Sequence, residues 1–290
     1  MVTFDELEKA DVSELPLRKR VEAFYKGTDA IFKFAESIII PVLKGQLNLN
    51  DREIAIVGTY YRMYAWISSM VAMNNPVYFQ GAAAAARALF ELLLDLKILA
   101  TDKTSKSIQR FHAFPEVEKF RVAQKLVRFY DNHPNTVDRN FSNQRSFINS
   151  HERKRNIETS IRKHWGTTKG GEPNHPKHWT GKNIPARARD LGPEYEELYF
   201  EAYPLLSWYI HSGSTGYVGV TQEALQSCFG WSHIIAQKAF LEATLICAQE
   251  MKISLAIEGI PDMLEDLRLT PGKVLTEEQI KILKEAKKKC

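Results

Sequence analysis

The stretch that most constrains how this chain folds runs from Gly81 to Ala100 and is apolar almost all round. It reads as a helix, and Arg87, Glu91 and Asp95 recur in it every four residues, so they lie along one helix face. A helix that is apolar on every side is normally buried. Charged side chains in such a helix must be paired, because an unpaired buried charge is strongly destabilising. This row of charges therefore predicts one wall of a site inside a helical protein.

Two interpretations of these three residues are open. In the structural one, Arg87 and Glu91 form a solvent-facing ion pair on an ordinary helix, worth a few tenths of a kcal/mol. In the functional one, a buried Arg–carboxylate pair, with the Asp95 carboxylate one turn further on, orients a base or fixes a ligand phosphate. The apolar surroundings favour the functional interpretation, since a solvated helix face is normally polar.

The composition excludes several classes of protein. A chain of 290 residues with 44% hydrophobic content can bury a large core, which excludes global disorder. Cys228, Cys247 and Cys290 are well separated in the sequence, which fits a reducing cytosol better than a disulfide framework. The N-terminus is acidic and lacks a signal-peptide pattern, and arginines (Arg62 and Arg87) interrupt the two most apolar stretches. We expect a cytoplasmic protein without membrane contact.

Apolar residues recur at three- and four-residue intervals along most of the chain, and strand-like alternation is never sustained. The pattern predicts an all-α fold of about eight helices, a single bundle-like domain over residues 1–260 with the 81–100 helix at its centre. Asn50 is expected to cap the helix that precedes the 81–100 helix, and Pro115 is expected to break the helix that follows it. Residues 261–290 are predicted to form a linker and a basic, amphipathic C-terminal helix.

Residues 137–190 carry 12 Lys and Arg but only 5 Asp and Glu. Their first half reads as an exposed helix, and turn-forming residues from Gly166 to Pro176 predict a loop. We interpret the segment as a basic flap or insertion, through which RNA or a nucleotide is the predicted partner.

The loop also contains His175 and the pair His178-Trp179. Two histidines three residues apart resemble half of a zinc site, but no further ligand has suitable spacing, so no metal site is predicted. Trp179 either packs against the protein, with His178 solvated, or stacks on a base beside the Lys and Arg side chains. No Gly-rich phosphate loop, nucleophile elbow or Cys pair is present, and no cofactor is predicted.

A second helical stripe carries semi-polar side chains at steps of four residues: Tyr195, Tyr199, Tyr203, Ser207 and His211. The structural interpretation is a tyrosine stripe in the core, with a histidine that caps the helix. In the functional interpretation His211 is a general acid/base and the tyrosine hydroxyls bind a ligand.

Arg128 and His133 form an Arg-x4-His pattern. In the HEPN helical ribonucleases a motif of this kind carries metal-independent RNA cleavage. Here Phe129 stands where those enzymes usually have a polar residue, and Pro134 follows at once, so the match is weak.

Three stretches, in this order, resemble a bacterial family catalogued only as a domain of unknown function. They are an Arg-x3-Glu helix at Arg87, a His-Trp-Thr-Gly loop at His178 and a Tyr-x3-Tyr…Ser-x3-His helix that ends at His211. The resemblance covers roughly residues 76–216. The chain departs from the family in Ser212, which precedes the expected glycine, and in a basic insertion before the loop.

The resemblance brings no established activity, but it implies that one site contains the following residues: Arg87, Glu91, His178, Trp179, Tyr199, Ser207 and His211. The family's helical character and His/Arg content are also similar to HEPN domains, which often belong to toxin and phage-defence systems.

The leading hypothesis is a HEPN-like protein that acts on RNA or a nucleotide, as a metal-independent ribonuclease in a toxin or phage-defence setting. Arg87 would hold a phosphate, His211 would be the acid/base, and Glu91 would orient one of them. The predicted ligand-binding residues are His178, Trp179, Tyr199, Tyr203, Ser207 and Asp95. The alternative is a non-enzymatic dimerisation or regulatory module in which a buried Arg–Glu pair specifies packing. A homodimer is expected, and whether the protein is an enzyme is open.

Overall fold

A computed structural model describes residues 17–102, 104–133, 141–210 and 221–253. Regular structure in these ranges is helical, and the β pairing there is one isolated bridge between Thr167 and Pro173. The all-α prediction is confirmed. The predicted C-terminal helix and the 260/261 domain boundary lie outside the described residues. No described helix is both long and apolar enough to cross a membrane.

The described helices, in chain order, are α1 (Leu17–Phe34), a π-helical turn (Ala35–Ile39), α2 (Ile40–Gly45), α3 (Asp51–Ala72), a 3-10 turn (Pro76–Tyr78), α4 (Phe79–Thr101), α5 (Ser105–Asn132), α6 (Phe141–Asn149), α7 (His151–Trp165), α8 (Ile184–Leu191), α9 (Pro193–Ile210) and α10 (Gln222–Glu250). The chain divides into two compact units. The first combines residues 1–101 with residues 188–290, and the second is residues 102–187. The second unit therefore contains most of the predicted basic flap.

Helix α4 lies at the centre of the first unit, as its sequence predicts. It packs against α10, α3 and α9, and α10 packs in turn against α1. The alanines at positions 82, 83, 85 and 86 are completely buried. Their small side chains let a neighbouring helix approach α4 closely, and this helix covers them. Larger side chains such as Leu89, Phe90 and Leu93 fill the core along the rest of α4.

The second unit has its own small core, which joins α5 to α7. Val117 and Phe120 of α5 pack with Ile157 and Ile161 of α7, and partly buried side chains surround them: Phe147, Ile148 and Trp165. Most other residues of α7 are exposed or half-buried, in agreement with the predicted exposed helix. Residues 166–183 follow it as a loop, which includes the segment predicted from Gly166 to Pro176.

Helix α3 begins where the sequence predicts, through a reciprocal cap. Asn50 Oδ1 accepts the backbone N–H groups of Arg52 and Glu53, both at 3.0 Å. Glu53 Oε2 accepts the Asn50 backbone N–H at 2.9 Å. This capping box satisfies donors that a helix N-terminus otherwise leaves unpaired.

The prediction that Pro115 breaks its helix is wrong, because α5 continues through it. An interior proline removes one backbone hydrogen bond and costs about 3 kcal/mol. Buried side chains flank it on the same helix, Ile108 on one side and Val117 and Phe120 on the other. The burial of these side chains on one continuous helix stabilises α5 and offsets the hydrogen bond that is lost at Pro115.

Helix α10 ends at Glu250, although apolar residues continue in the sequence after it. Lys252 adopts a φ of 53°, in the left-handed region, and the Ile253 N–H donates to the Ala248 carbonyl oxygen at 2.8 Å. This backbone arrangement closes the last turn as a Schellman-type cap.

Candidate functional site

Arg87 and Glu91 of α4 form an ion pair that also includes Tyr203 of α9. The Arg87 Nε–H donates to Glu91 Oε1 at 3.1 Å, and the Tyr203 hydroxyl donates to the same oxygen at 2.9 Å. The guanidinium carbon of Arg87 lies 4.5 Å from the centre of the Tyr203 ring, in a cation–π contact. We call these three residues the Arg87 cluster.

The Arg87 cluster borders solvent, which corrects the expectation of a buried pair. The Arg87 and Glu91 side chains keep 27% and 35% of their exposure. A long side chain can bury its apolar stem in a helical core while its charged head reaches water, and this explains charges in so apolar a helix. Partly exposed i,i+4 ion pairs contribute little to stability, so the cluster is a weak packing device that a ligand can reach.

Tyr203 acts as a hydrogen-bond donor in this arrangement. Burial raises the pKa of its hydroxyl well above the ordinary value. The negative charge of Glu91 and the hydrogen bond to it raise this pKa further, whereas Arg87 opposes the shift. The hydroxyl therefore stays protonated at neutral pH and keeps the Glu91 carboxylate in place.

The remaining predicted residues of α4 and α9 differ in their surroundings. Tyr199 stacks on Tyr203, with ring centres 5.3 Å apart and an interplanar angle of 23°. The Ser207 hydroxyl donates to the Tyr203 carbonyl oxygen at 2.7 Å, within the same helix. Asp95, one turn beyond Glu91, is buried at 9% exposure. Tyr199 thus extends the aromatic surface of the Arg87 cluster, while the Ser207 hydroxyl is held by its own helix.

His178 and Trp179 belong to the second unit. Trp179 is 4% exposed, meets Phe111 edge-on at 5.4 Å, and its carbonyl oxygen accepts the Trp165 indole N–H at 2.8 Å. The Nδ1 atom of His178 lies 2.9 Å from the Thr180 hydroxyl oxygen. Trp179 packs in the interior of this unit, so a ligand would contact it only after neighbouring side chains moved. The ligand-binding roles of both residues stay predictions, and His211 lies outside the described residues.

A second polar cluster was not predicted. Lys97 Nζ of α4 lies 2.9 Å from Glu242 Oε1 of α10, and the Tyr195 hydroxyl of α9 donates to the same oxygen at 3.0 Å. Lys97 Nζ also lies 5.6 Å from the centre of the Tyr195 ring. We call these residues the Glu242 cluster. It repeats the pattern of the Arg87 cluster, a carboxylate oxygen shared by a cation and a tyrosine, but the Glu242 side chain is only 11% exposed.

The sequence contains a signal for the Glu242 cluster. Glu242 interrupts the apolar run Ala-Phe-Leu-Glu-Ala-Thr-Leu-Ile of α10. Like Arg87 in α4, this acid is a charged residue in an apolar helix and needs a partner there. Tyr195 lies on the same four-residue spacing as Tyr199 and Tyr203.

Charge is unevenly divided between the two units. Residues 102–187 contain 18 Lys and Arg against 8 Asp and Glu, a net +10, whereas the rest of the chain has 21 against 27, a net −6. The exposed cations of α7 contribute to this excess: Arg153, Lys154, Arg155, Arg162 and Lys163. A positive surface of this kind attracts polyanions over a distance that becomes shorter as the salt concentration rises. In the part of the chain that the structure describes, no group of three or more His, Cys, Asp or Glu side chains could hold a metal ion.

The fold and these clusters define a helical protein with a cation–carboxylate–tyrosine site in one unit and a strongly basic second unit. The sequence model of a family of unknown function, DUF5677, matches residues 53–223, and the chain belongs to this family. The match spans all three residues of the Arg87 cluster and the whole of the second unit. The predicted membership of an uncharacterised domain family is confirmed. No curated protein and no solved structure matches the chain.

Proposed function

We propose that this protein acts on RNA or on a nucleotide, and that the Arg87 cluster binds a phosphate group of that ligand. The observation that carries the proposal is the state of the Arg87 guanidinium, which Glu91 and Tyr203 hold in place although the side chain is 27% exposed. A guanidinium has five N–H donors, and the bond to Glu91 uses the one on Nε. The two Nη groups match the fork geometry with which arginine binds phosphate oxygens.

The aromatic pair beside Arg87 supports a nucleotide-type ligand. Tyr199 and Tyr203 are both half-buried and stack on each other next to the guanidinium. Exposed edges and faces of tyrosine rings suit contact with a base or ribose, as in many RNA-binding sites. A phosphate on Arg87 and a base near the tyrosines would together use the cation and the rings.

The basic second unit supports RNA over a small metabolite. Its net charge of +10 favours a ligand with many phosphates, because each neutralised phosphate releases counterions. The rest of the chain is acidic, with a net charge of −6, so the positive charge is concentrated in one unit. A general affinity for anions would not require this concentration.

The reaction consistent with these residues is a metal-independent RNA cleavage of the HEPN type. The ribose 2′-hydroxyl gives up its proton to a base as its oxygen attacks the neighbouring phosphorus, the bond from phosphorus to the 5′ oxygen breaks, and the leaving 5′ oxygen takes up a proton, so that a 2′,3′-cyclic phosphate and a 5′-hydroxyl end are formed. Arg87 would stabilise the charge on the phosphate, Glu91 would fix the guanidinium, and His211 would transfer the proton.

Binding and cleavage of labelled RNA and of free nucleotides test this proposal. The wild-type protein should bind RNA at low salt and lose affinity as salt rises. Arg87→Gln should weaken binding or abolish turnover with the fold intact, whereas Arg62→Gln, which removes an exposed arginine of α3, should change neither. A protein that leaves RNA and nucleotides untouched, and binds neither at low salt, would end the proposal.

An exposed apolar face on α9 favours a second candidate function, a non-enzymatic helical dimerisation or regulatory module. Phe200 and Trp208 are 63% and 62% exposed, and Leu205 lies between them on the same helix. Contiguous exposed aromatic side chains are typical of protein interfaces. Sedimentation of the wild type and of Trp208→Asp tests it: a dimer that the substitution dissociates supports this function, and a wild-type monomer contradicts it.

A further inference from the structure

We infer that the second unit binds single-stranded nucleic acid through an exposed aromatic stack at the end of α5, an inference that rests on the proposed function. The stack consists of Phe129 and His133, whose ring centres lie 4.3 Å apart with an interplanar angle of 22°. Phe129 is 50% exposed, and His133 is exposed as well. Two parallel rings at the protein surface offer a platform on which a base can continue the stack.

A hydrogen bond holds the platform in position. His133 Nδ1 lies 2.8 Å from the Phe129 carbonyl oxygen, and because a carbonyl only accepts, Nδ1 carries the proton and donates. His133 follows the last residue of α5 and its backbone N–H also donates to the Tyr130 carbonyl oxygen, at 3.1 Å. The ring is therefore fixed relative to the helix before any ligand arrives, which lowers the entropy cost of stacking.

Two cations flank the platform. Lys125 lies one helical turn before Phe129, Arg128 precedes it directly, and both are exposed. Neither has an ion-pair partner within the described ranges. The nearest acid in the sequence, Asp131, is paired with Arg145. Phosphates next to a stacked base would meet these two cations.

The exposed stripe on α5 could in principle accept another protein. Val122 and Leu126 are 47% and 38% exposed and share the helix face of Phe129. Charge complementarity favours nucleic acid: the stripe belongs to a unit of net charge +10, and the stacked ring at its end lies beside the exposed cations Lys125 and Arg128. Phe129 also stands where proteins with the Arg-x4-His pattern usually have a polar residue. A role in base stacking explains an aromatic ring at this position.

The stacking geometry selects single strands. Bases within a duplex already stack on each other, and their faces are closed to a protein ring. An unpaired strand presents free base faces, and stacking on aromatic side chains is tolerant of sequence. We therefore expect preference for an unstructured strand over a duplex of equal length, without strong sequence specificity.

Fluorescence anisotropy on the full-length protein tests the inference, with labelled oligouridine and a duplex RNA of equal length as probes. Phe129→Ala should weaken oligouridine binding roughly 5- to 100-fold and leave duplex binding unchanged. Phe129→Trp should keep the wild-type affinity, because it restores a stacking ring. Tyr78→Ala, which removes a similarly exposed aromatic side chain from the 3-10 turn of the first unit, is the matched control and should have no effect. Circular dichroism confirms that each variant is folded.

Several results would overturn the inference. Equal or tighter duplex binding would do so, as would an oligouridine affinity that Phe129→Ala leaves intact; either result leaves general RNA binding standing. A loss in Leu126→Ala as large as in Phe129→Ala would indicate an apolar docking stripe instead. Absence of binding to both probes at low salt would remove this inference and the RNA part of the proposed function, which would then stand only if the protein binds a free nucleotide.

Discussion

The Tyr203 hydroxyl hydrogen-bonds to Glu91 Oε1 at 2.9 Å, and this bond joins α9 to α4 beside Arg87. The same oxygen accepts the Arg87 Nε–H. Tyr203 therefore acts on the guanidinium in two ways, through its ring and through the carboxylate that orients the arginine. The geometry of the proposed phosphate site depends on this one tyrosine.

Tyr203→Phe separates these two effects. The substitution keeps the ring under the guanidinium and removes the hydrogen bond to Glu91. We expect the free energy of unfolding to fall by about 1 kcal/mol. The charged acceptor strengthens the bond, but water can hydrate the partly exposed Glu91 carboxylate once the hydroxyl is absent. Urea denaturation measures the change. Tyr199→Phe is the control, since its hydroxyl has no hydrogen bond among the described residues, and an equal loss in both variants would contradict the role of this bond.

Lys97→Met and Arg87→Met compare the two polar clusters. Each substitution removes the cation and leaves a carboxylate behind. The Glu242 side chain is 11% exposed, whereas that of Glu91 is 35% exposed, so water can hydrate only Glu91 effectively. We expect Lys97→Met to lower the free energy of unfolding by about 2 kcal/mol or more, and Arg87→Met by less than about 1 kcal/mol. Denaturation curves that show the reverse order would contradict this assignment of burial.

His233 makes stability depend on pH. Its side chain is completely buried, Nδ1 lies 2.8 Å from Thr28 Oγ1, and Nε2 has no hydrogen-bond partner in the described structure. Burial lowers the pKa of the imidazole to about 3, from 6.5. Between these values the unfolded chain binds a proton that the folded chain does not. The stabilisation that the neutral imidazole contributes is therefore complete above the pKa of histidine in the unfolded chain. It is lost as the pH falls below that value.

The comparison with His233→Gln isolates this effect. Between about pH 7 and pH 5 the wild type should lose about 2 kcal/mol of unfolding free energy relative to the variant. Parallel stability curves would contradict a neutral buried imidazole. NMR titration of the His233 ring in the wild type gives an independent reading, and a ring that becomes protonated near pH 6 would contradict it as well.

The two described cysteines should be inert in the folded protein. Cys228 and Cys247 are buried, and burial raises the pKa of each thiol to about 12. Because the thiolate is the reactive form, neither should react with an aromatic disulfide reagent at neutral or mildly alkaline pH. In a Cys290→Ser variant, we expect thiols to appear only after denaturant is added. Rapid labelling of the folded variant would contradict this expectation and show that α10, which carries both cysteines, opens readily.

Features that depend on nearby residues could be predicted from the sequence. The capping box of Asn50 and Glu53 involves contacts three residues apart, and the central position of α4 follows from a run of apolar residues too long for a surface helix. The pairing of Arg87 with Glu91 is also local, since one helical turn separates them. In each case the deciding interaction lies within a few residues of the chain.

Features that depend on distant residues could not be predicted in this way. Tyr203 is 112 residues from Glu91, and Lys97 is 145 residues from Glu242, so only the packing of α4 with α9 and α10 brings them together. The exposure of Arg87 escapes prediction for the same reason, because composition does not show where a side chain finds water. The continuity of α5 through Pro115 also escapes prediction, because the burial of side chains on both sides of the proline outweighs its local cost.

The most direct test of the central claim is RNA binding and cleavage by Arg87→Met with Glu91→Leu, beside the wild type. The double substitution removes both charges and leaves no unpaired ion, so the fold should be kept, with a loss of about 1 kcal/mol from the Tyr203 hydrogen bond. If the Arg87 cluster is the phosphate site, the folded variant loses RNA affinity or turnover, while Arg62→Gln matches the wild type. A folded double variant that binds and cleaves RNA as the wild type does would contradict the account.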